Sequence, residues 1–263
     1  MKVSAVQLPI ITGNKIYNTN SMEHMLNDIA TLRTDVVVLP ELWNTGFYPK
    51  PISHFADLDG EHTIKSISQL AAKYMLNIIA GSVPTNRGGK IYNTSYIFNR
   101  SGNLIATYDK VHLFSPSGED RDFTPGDRMV TFTLDGIKCG IATCYDIRFP
   151  EYIRSLALAD ISVLFVPAAW PSERLMHWDT LLRARAIENQ IFVVGVNGIS
   201  DPDGEDFHLG GHSTIIDPWG EILAQGSCSK LEGEVIHANL RIAIQDKIKE
   251  SIDVFNDRRP EVY

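Results

Sequence analysis

Three observations along this 263-residue chain predict an α/β fold. Short apolar, β-branched runs alternate with segments of amphipathic helical period. Several of the runs are apolar throughout, as strands covered on both faces are. The middle of the chain carries hairpin turns, which join antiparallel rather than parallel strands. Together these predict a mixed sheet, or two sheets packed together, with helices outside.

Taken in order, residues 3–8 read as a first strand. Residues 20–33 read as a helix with Met22, Met25, Leu26 and Ile29 on one face. VVVLPE, residues 36–41, is a buried strand stopped by Pro40. Ile64, Ile67, Leu70, Ala71 and Tyr74 mark a second amphipathic helix, and NIIAGSVP follows as a strand. IYNTSYIFNRSGNLIATYDK reads as two strands joined at Ser101-Gly102-Asn103, and TFTLDGIKCGIATC as a pair turning at Asp135-Gly136. A helix is predicted from near Pro150, because proline is tolerated in a first turn. SVLFVPAAW is again a buried strand, residues 175–190 a helix, and IFVVGVNGI a strand. STIIDPWGEILA forms a hairpin around Pro218-Trp219-Gly220, and EGEVIHANL is the last strand. The tail from Arg241 starts helical, then turns polar and irregular.

The chain is long enough to bury a full core, and its 44% hydrophobic and 21% charged residues are those of an ordinary globular protein. With no low-complexity linker, charge block or short repeat, residues 1–263 are expected to form one domain. The formal net charge of -8 disfavours binding to phosphate backbones, so no nucleic-acid partner is expected. Three cysteines, Cys139, Cys144 and Cys228, do not make a disulfide framework and point to a reducing compartment. No stretch is long and apolar enough for a membrane span, so cytoplasm is the expected location.

Three residues could carry chemistry. Cys144 ends the strand GIATC just before a helix, where a helix N-terminus would favour a thiolate and backbone N–H groups could bind an oxyanion. It could equally be a small buried hydrophobe. Glu41 sits at the C-terminal edge of a strand, where open α/β sheets bind ligands, and could act as a base or as an ordinary salt-bridge carboxylate. Lys110, flanked by Tyr108 and Val111, could stabilise an alkoxide or simply lie on the surface. The eight histidines show no metal-binding spacing, and no P-loop, GxGxxG or GxSxG pattern is present. No metal or cofactor is therefore expected. Cys139 reads as core and Cys228 as exposed.

In combination these segments resemble the nitrilase superfamily of carbon–nitrogen hydrolases. The motifs are LPELWNTGF around Glu41, YDKVHLF around Lys110, GEDRDFTPG around Glu119 and CYDIRFPE around Cys144, followed by PAAWP, HWDTLLRARAIENQ, HSTIIDPWGEIL and DRRPEVY. The resemblance runs nearly the full length. It implies a four-layer α-β-β-α sandwich, a homodimer, and a Glu41–Lys110–Cys144 catalytic set with Glu119 as a second glutamate. It places the N–H of Tyr145 and Lys110 at the oxyanion.

CYDIRF and its surroundings look most like the ω-amidase branch. That branch releases ammonia from small carboxylate-bearing amides such as 2-oxoglutaramate and 2-oxosuccinamate. PAAWP departs from the corresponding segment of animal ω-amidases, which leaves the exact amide open. A substrate carboxylate would need a cation, and Arg148 and Arg174 are the candidates, with Tyr145 and Trp170 beside them. Arg148 could instead pair with Glu151 or Asp146. The alternatives are an N-carbamoyl amino acid amidohydrolase or a non-catalytic binding protein of the same fold. A true nitrilase is less compatible, because such enzymes usually carry Trp where this chain has Tyr145. A dimer would use Phe255 and Tyr263 of the tail as anchors.

Overall fold

The computed structural model of the protein describes residues 1–200 and 207–262. From the N-terminus, β1 (Lys2–Gln7) leads through α1 (Lys15–Ile29) to β2 (Val36–Val38) and β3 (Asp57–Leu58). Next come α2 (Glu61–Tyr74), β4 (Asn77–Ile79), β5 (Val83–Arg87), β6 (Lys90–Phe98), β7 (Leu104–Asp109) and the single turn α3 (Glu119–Asp122). The second half holds β8 (Val130–Leu134), β9 (Ile137–Ile141), α4 (Pro150–Leu158), β10 (Val163–Ala168), α5 (Leu175–Asn189) and β11 (Phe192–Asn197). It closes with β12 (Thr214–Ile216), β13 (Ile222–Gln225), β14 (Glu234–Asn239) and α6 (Ile244–Ser251).

Among the described residues the strands form two mixed sheets. One has eight strands in the order β14-β1-β2-β4-β6-β5-β3, with β7 also paired to β6. The other has six, in the order β13-β12-β11-β10-β9-β8. Each has a parallel centre, β1-β2-β4 in one and β9-β10-β11 in the other, flanked by antiparallel strands.

Strand alternation makes the layers. Val36 and Val38 join Val163, Phe165, Cys139 and Ile141 in a core between the two sheets. Val37, one step out of phase, faces Met22, Leu26, Ile67 and Ala71 of α1 and α2. Leu164 and Val166 likewise face Ile153, Leu156, Trp178 and Leu182 of α4 and α5. The order is therefore helix, sheet, sheet, helix, the expected α-β-β-α sandwich. Both faces of each central strand are covered, which is why VVV and SVLFV carry no polar alternation.

Several boundaries differ from the sequence reading, each for a local reason. The first helix starts at Lys15, because Asn14 caps it by accepting the N–H of Tyr17, although Ile16 and Tyr17 face solvent. NIIAGSVP is two strands. Gly81 between them has φ +55°, and a Cβ there would strike the Pro40 carbonyl. By contrast α4 begins at Pro150 as expected, and residues Cys144–Arg148 before it form a 3-10 turn.

Candidate active site

Site residues converge where the parallel strands of both sheets end. Just beyond β2, the N–H of Glu41 donates to the Ala168 carbonyl of the opposite sheet (3.3 Å). The N–H of Ala169 in turn donates to Glu41 Oε2 (2.8 Å), so the glutamate is stitched to β10 at both ends. Lys110 follows β7. Its Nζ donates to Glu41 Oε1 (2.8 Å) and to Glu119 Oε2 (2.8 Å) and Oε1 (3.1 Å). Glu119 opens α3 and also accepts the Phe114 N–H (2.6 Å). Glu41, Lys110 and Glu119 are all fully buried.

Cys144 stands at the sharp exit from β9, with φ +47°, where it holds a left-handed conformation that β-carbons resist. Its Sγ lies 3.9 Å from the Ala169 carbonyl. A buried carboxylate holds this turn. Asp146 Oδ2 accepts from the Thr143 N–H (2.7 Å) and the Tyr108 hydroxyl (2.6 Å), and Oδ1 from the His112 N–H (2.9 Å), with the His112 ring nitrogen Nδ1 2.8 Å away. Tyr108 and His112 bracket Lys110, so one carboxylate ties the lysine's segment to the cysteine's.

Electrostatics correct one expectation. Of the two readings of Cys144 in the sequence, one has a helix N-terminus favouring its thiolate. Instead, burial pushes the Cys144 thiol well above its usual range, Glu41 adds to the rise, and Lys110 only partly opposes it. This balance favours the neutral thiol over the thiolate. Burial also pulls on Lys110, but the charges of Glu119 and Glu41 together outweigh it and hold the ammonium well above the usual lysine range. Glu119 is raised by burial, opposed by Lys110 and supported by Glu41. Cys139, buried between the sheets, is pushed up to about 12 by burial, and Cys228 is exposed, as expected for both.

A narrow cleft opens beside the thiol. It brings together Cys144, Tyr145, Arg148, Trp170 and Arg174, all singled out from the sequence. Arg148 stacks over Trp170, 4.7 Å from the ring centre, and its Nη2 lies 3.3 Å from His177 Nδ1. No ion pair to Glu151 or Asp146 forms; Asp146 is already saturated. Arg174 faces the Phe114 ring at 5.3 Å. Among the described residues, neither guanidinium has a carboxylate within 4.0 Å. Phe47 and Phe207, stacked at 4.3 Å, form another wall.

The sequence reading missed Asn93, Asp146 as an anchor, the Ala169 N–H and the Phe47–Phe207 wall. Asn93 left a trace: asparagine is depleted in strands, yet here it sits inside one. The aromatic wall left none, since it joins residues far apart in the chain.

The profile of the carbon–nitrogen hydrolase family matches residues 2–245. The chain belongs to the carbon–nitrogen hydrolase family. Among relatives of this hydrolase, 2-oxoglutaramate amidase of Bacillus subtilis is 40% identical over 99% of this chain and 98% of its own. Omega-amidase NIT2 of Homo sapiens is 31% identical over 100% and 96%. Among solved structures, Nit3 of Saccharomyces cerevisiae, a member of branch 10 of the nitrilase superfamily, superposes with a TM-score of 0.88. It shares 29% identity over 96% of this chain and 94% of that one.

Proposed function

We propose that this carbon–nitrogen hydrolase cleaves the terminal amide of small 2-oxo dicarboxylic acid monoamides, such as 2-oxoglutaramate and 2-oxosuccinamate, and releases ammonia. The observation that carries the reading is a cleft presenting two guanidinium groups, Arg148 and Arg174, with no carboxylate partner among the described residues, beside a thiol backed by Glu41, Lys110 and Glu119. Burial, aided by the like charge of Arg174, holds Arg148 below the usual arginine range, a strain that a bound carboxylate relieves. The name of the Bacillus subtilis relative supports the same substrate. Nothing in the cleft favours the N-carbamoyl alternative.

In this mechanism Glu41 takes the Sγ proton as sulfur bonds to the amide carbon. The oxyanion accepts from Lys110 Nζ and the Tyr145 N–H. When Glu41 is protonated, Lys110 loses one anionic partner, and Glu119 keeps it charged. The C–N bond then breaks as Glu41 returns its proton to the departing nitrogen, leaving ammonia and a thioester on Cys144. Water attacks the thioester as Glu41 takes its proton, and Glu41 passes that proton to sulfur as the C–S bond breaks, which frees the acid and restores both the thiol and the carboxylate.

The chain is further proposed to be one domain, cytoplasmic and homodimeric. The core that runs unbroken between the two sheets supports one domain. Among the described residues, no helix is long and apolar enough to cross a membrane. Of the expected dimer anchors, Phe255 lies under the Arg154 guanidinium of its own chain at 5.0 Å, and Tyr263 lies outside the described residues.

Ammonia release from 2-oxoglutaramate tests the assignment. Cys144→Ala should abolish it, and Cys228→Ala should not. Arg148→Met or Arg174→Met should raise KM for 2-oxoglutaramate at least ~10-fold while leaving KM for a neutral short amide nearly unchanged, the scale of one charge-assisted pair. Equal losses on both amides in both arginine variants would overturn the carboxylate reading.

A further inference from the structure

Two side chains bridge Glu41 and Glu119. One is the Lys110 ammonium. The other is Asn93, whose Nδ2 donates to Glu41 Oε1 (2.8 Å) and to Glu119 Oε1 (3.1 Å). Asn93 is 1% exposed and does not line the cleft. The fold places it: its carbonyl accepts the Lys110 N–H (2.9 Å), one step past the Thr94–Asp109 pair of the β6–β7 ladder. Asn93 and Lys110 are therefore opposite one another and share a face of the sheet.

The charges do not balance without such donors. Two carboxylates share one ammonium in a fully buried cluster. If both are ionised, one negative charge is left over and must be met by N–H groups. Ala169 supplies one to Glu41, Phe114 one to Glu119, and Asn93 serves both. The opposite amide orientation would aim a carbonyl oxygen at two carboxylates. In the orientation adopted, Oδ1 has no hydrogen-bond partner among the described residues, so the carboxylates decide which way the amide faces.

We propose that Asn93 is a positioning residue that keeps Glu41 and Glu119 ionised together, so that Glu41 is free to take the Cys144 proton. The proposal rests on the general-base reading of Glu41. Without the amide donors, two carboxylates this close share a proton, and Glu41 enters the cycle already occupied.

The test is the pH dependence of Cys144 alkylation by iodoacetamide, followed by mass spectrometry in a Cys228→Ser background. It needs no assumption about the natural substrate. Asn93→Ala should move the midpoint up by at least ~1 pH unit, the scale of lost hydrogen bonds to a buried carboxylate. Asn93→Asp, which has the same shape but no amide donor, should move it at least as far. Circular dichroism checks folding. An unmoved midpoint in either folded variant, or failure of both to fold, would overturn the proposal, because a purely structural asparagine changes stability and not the proton's affinity. Glu41→Gln separates the two levels. If it leaves the alkylation profile unchanged, the general-base reading itself fails. If it removes the transition while the Asn93 variants retain it, only the role of Asn93 fails.

Discussion

Lys110 concentrates the site's energetics in one side chain. Its ammonium is the only side-chain cation within 4.0 Å of Glu41 or Glu119 among the described residues, and all three groups are fully buried. Removing one partner from a buried ion cluster strands the others, at a cost of about 3–5 kcal/mol. Lys110→Ala should therefore lower thermal stability as well as ammonia release, the latter by at least ~100-fold. Glu41→Gln keeps the size and removes the base. It should lose at least ~100-fold in kcat with a much smaller change in melting temperature. Steady-state assays beside thermal melts check both, and near-normal turnover in either variant would remove that residue from the mechanism.

At the scale of elements, the turn Cys144–Arg148 and the segment around Lys110 behave as one unit because Asp146 joins them. Asp146→Asn would aim an N–H₂ at a cluster of donors. It should cost about 2 kcal/mol, near 5 °C in melting temperature, and lower kcat more than it raises KM. An unchanged melting temperature would show that the carboxylate is not the tie. The same elements show how far the sequence could be read. Long patterned segments, such as the hairpin at Asp135-Gly136 and the buried strand before Ala169, were legible because periodicity and turn chemistry are local. Glu41, Lys110, Cys144 and Glu119 were found through motifs, and the structure brings them together. The state of the thiol was not legible. Burial that pushes the Cys144 pKa up comes from packing by distant residues, and the following helix begins too late to counter it. Asn93 and Asp146 were passed over as single polar letters, because their importance lies in contacts 52 and 38 residues away in the chain.

At the scale of the whole molecule, the proposed homodimer predicts that light scattering at micromolar concentration reports twice the 29.4 kDa chain mass; a clean monomer would refute it. The division of labour between the layers has a consequence for folding. Glu41, Asn93 and Lys110 come from the eight-stranded sheet, whereas Cys144 and the Ala169 N–H come from the six-stranded one. Neither sheet alone holds both the thiol and the carboxylate proposed to accept its proton. A partly folded chain with its strands formed but its two halves undocked would hold only an idle sulfhydryl. Catalysis thus acts as a built-in readout of tertiary assembly. During gradual denaturation, ammonia release should therefore fade when the two layers part, ahead of the far-ultraviolet dichroism of the helices and strands; coincident loss of both signals would refute this.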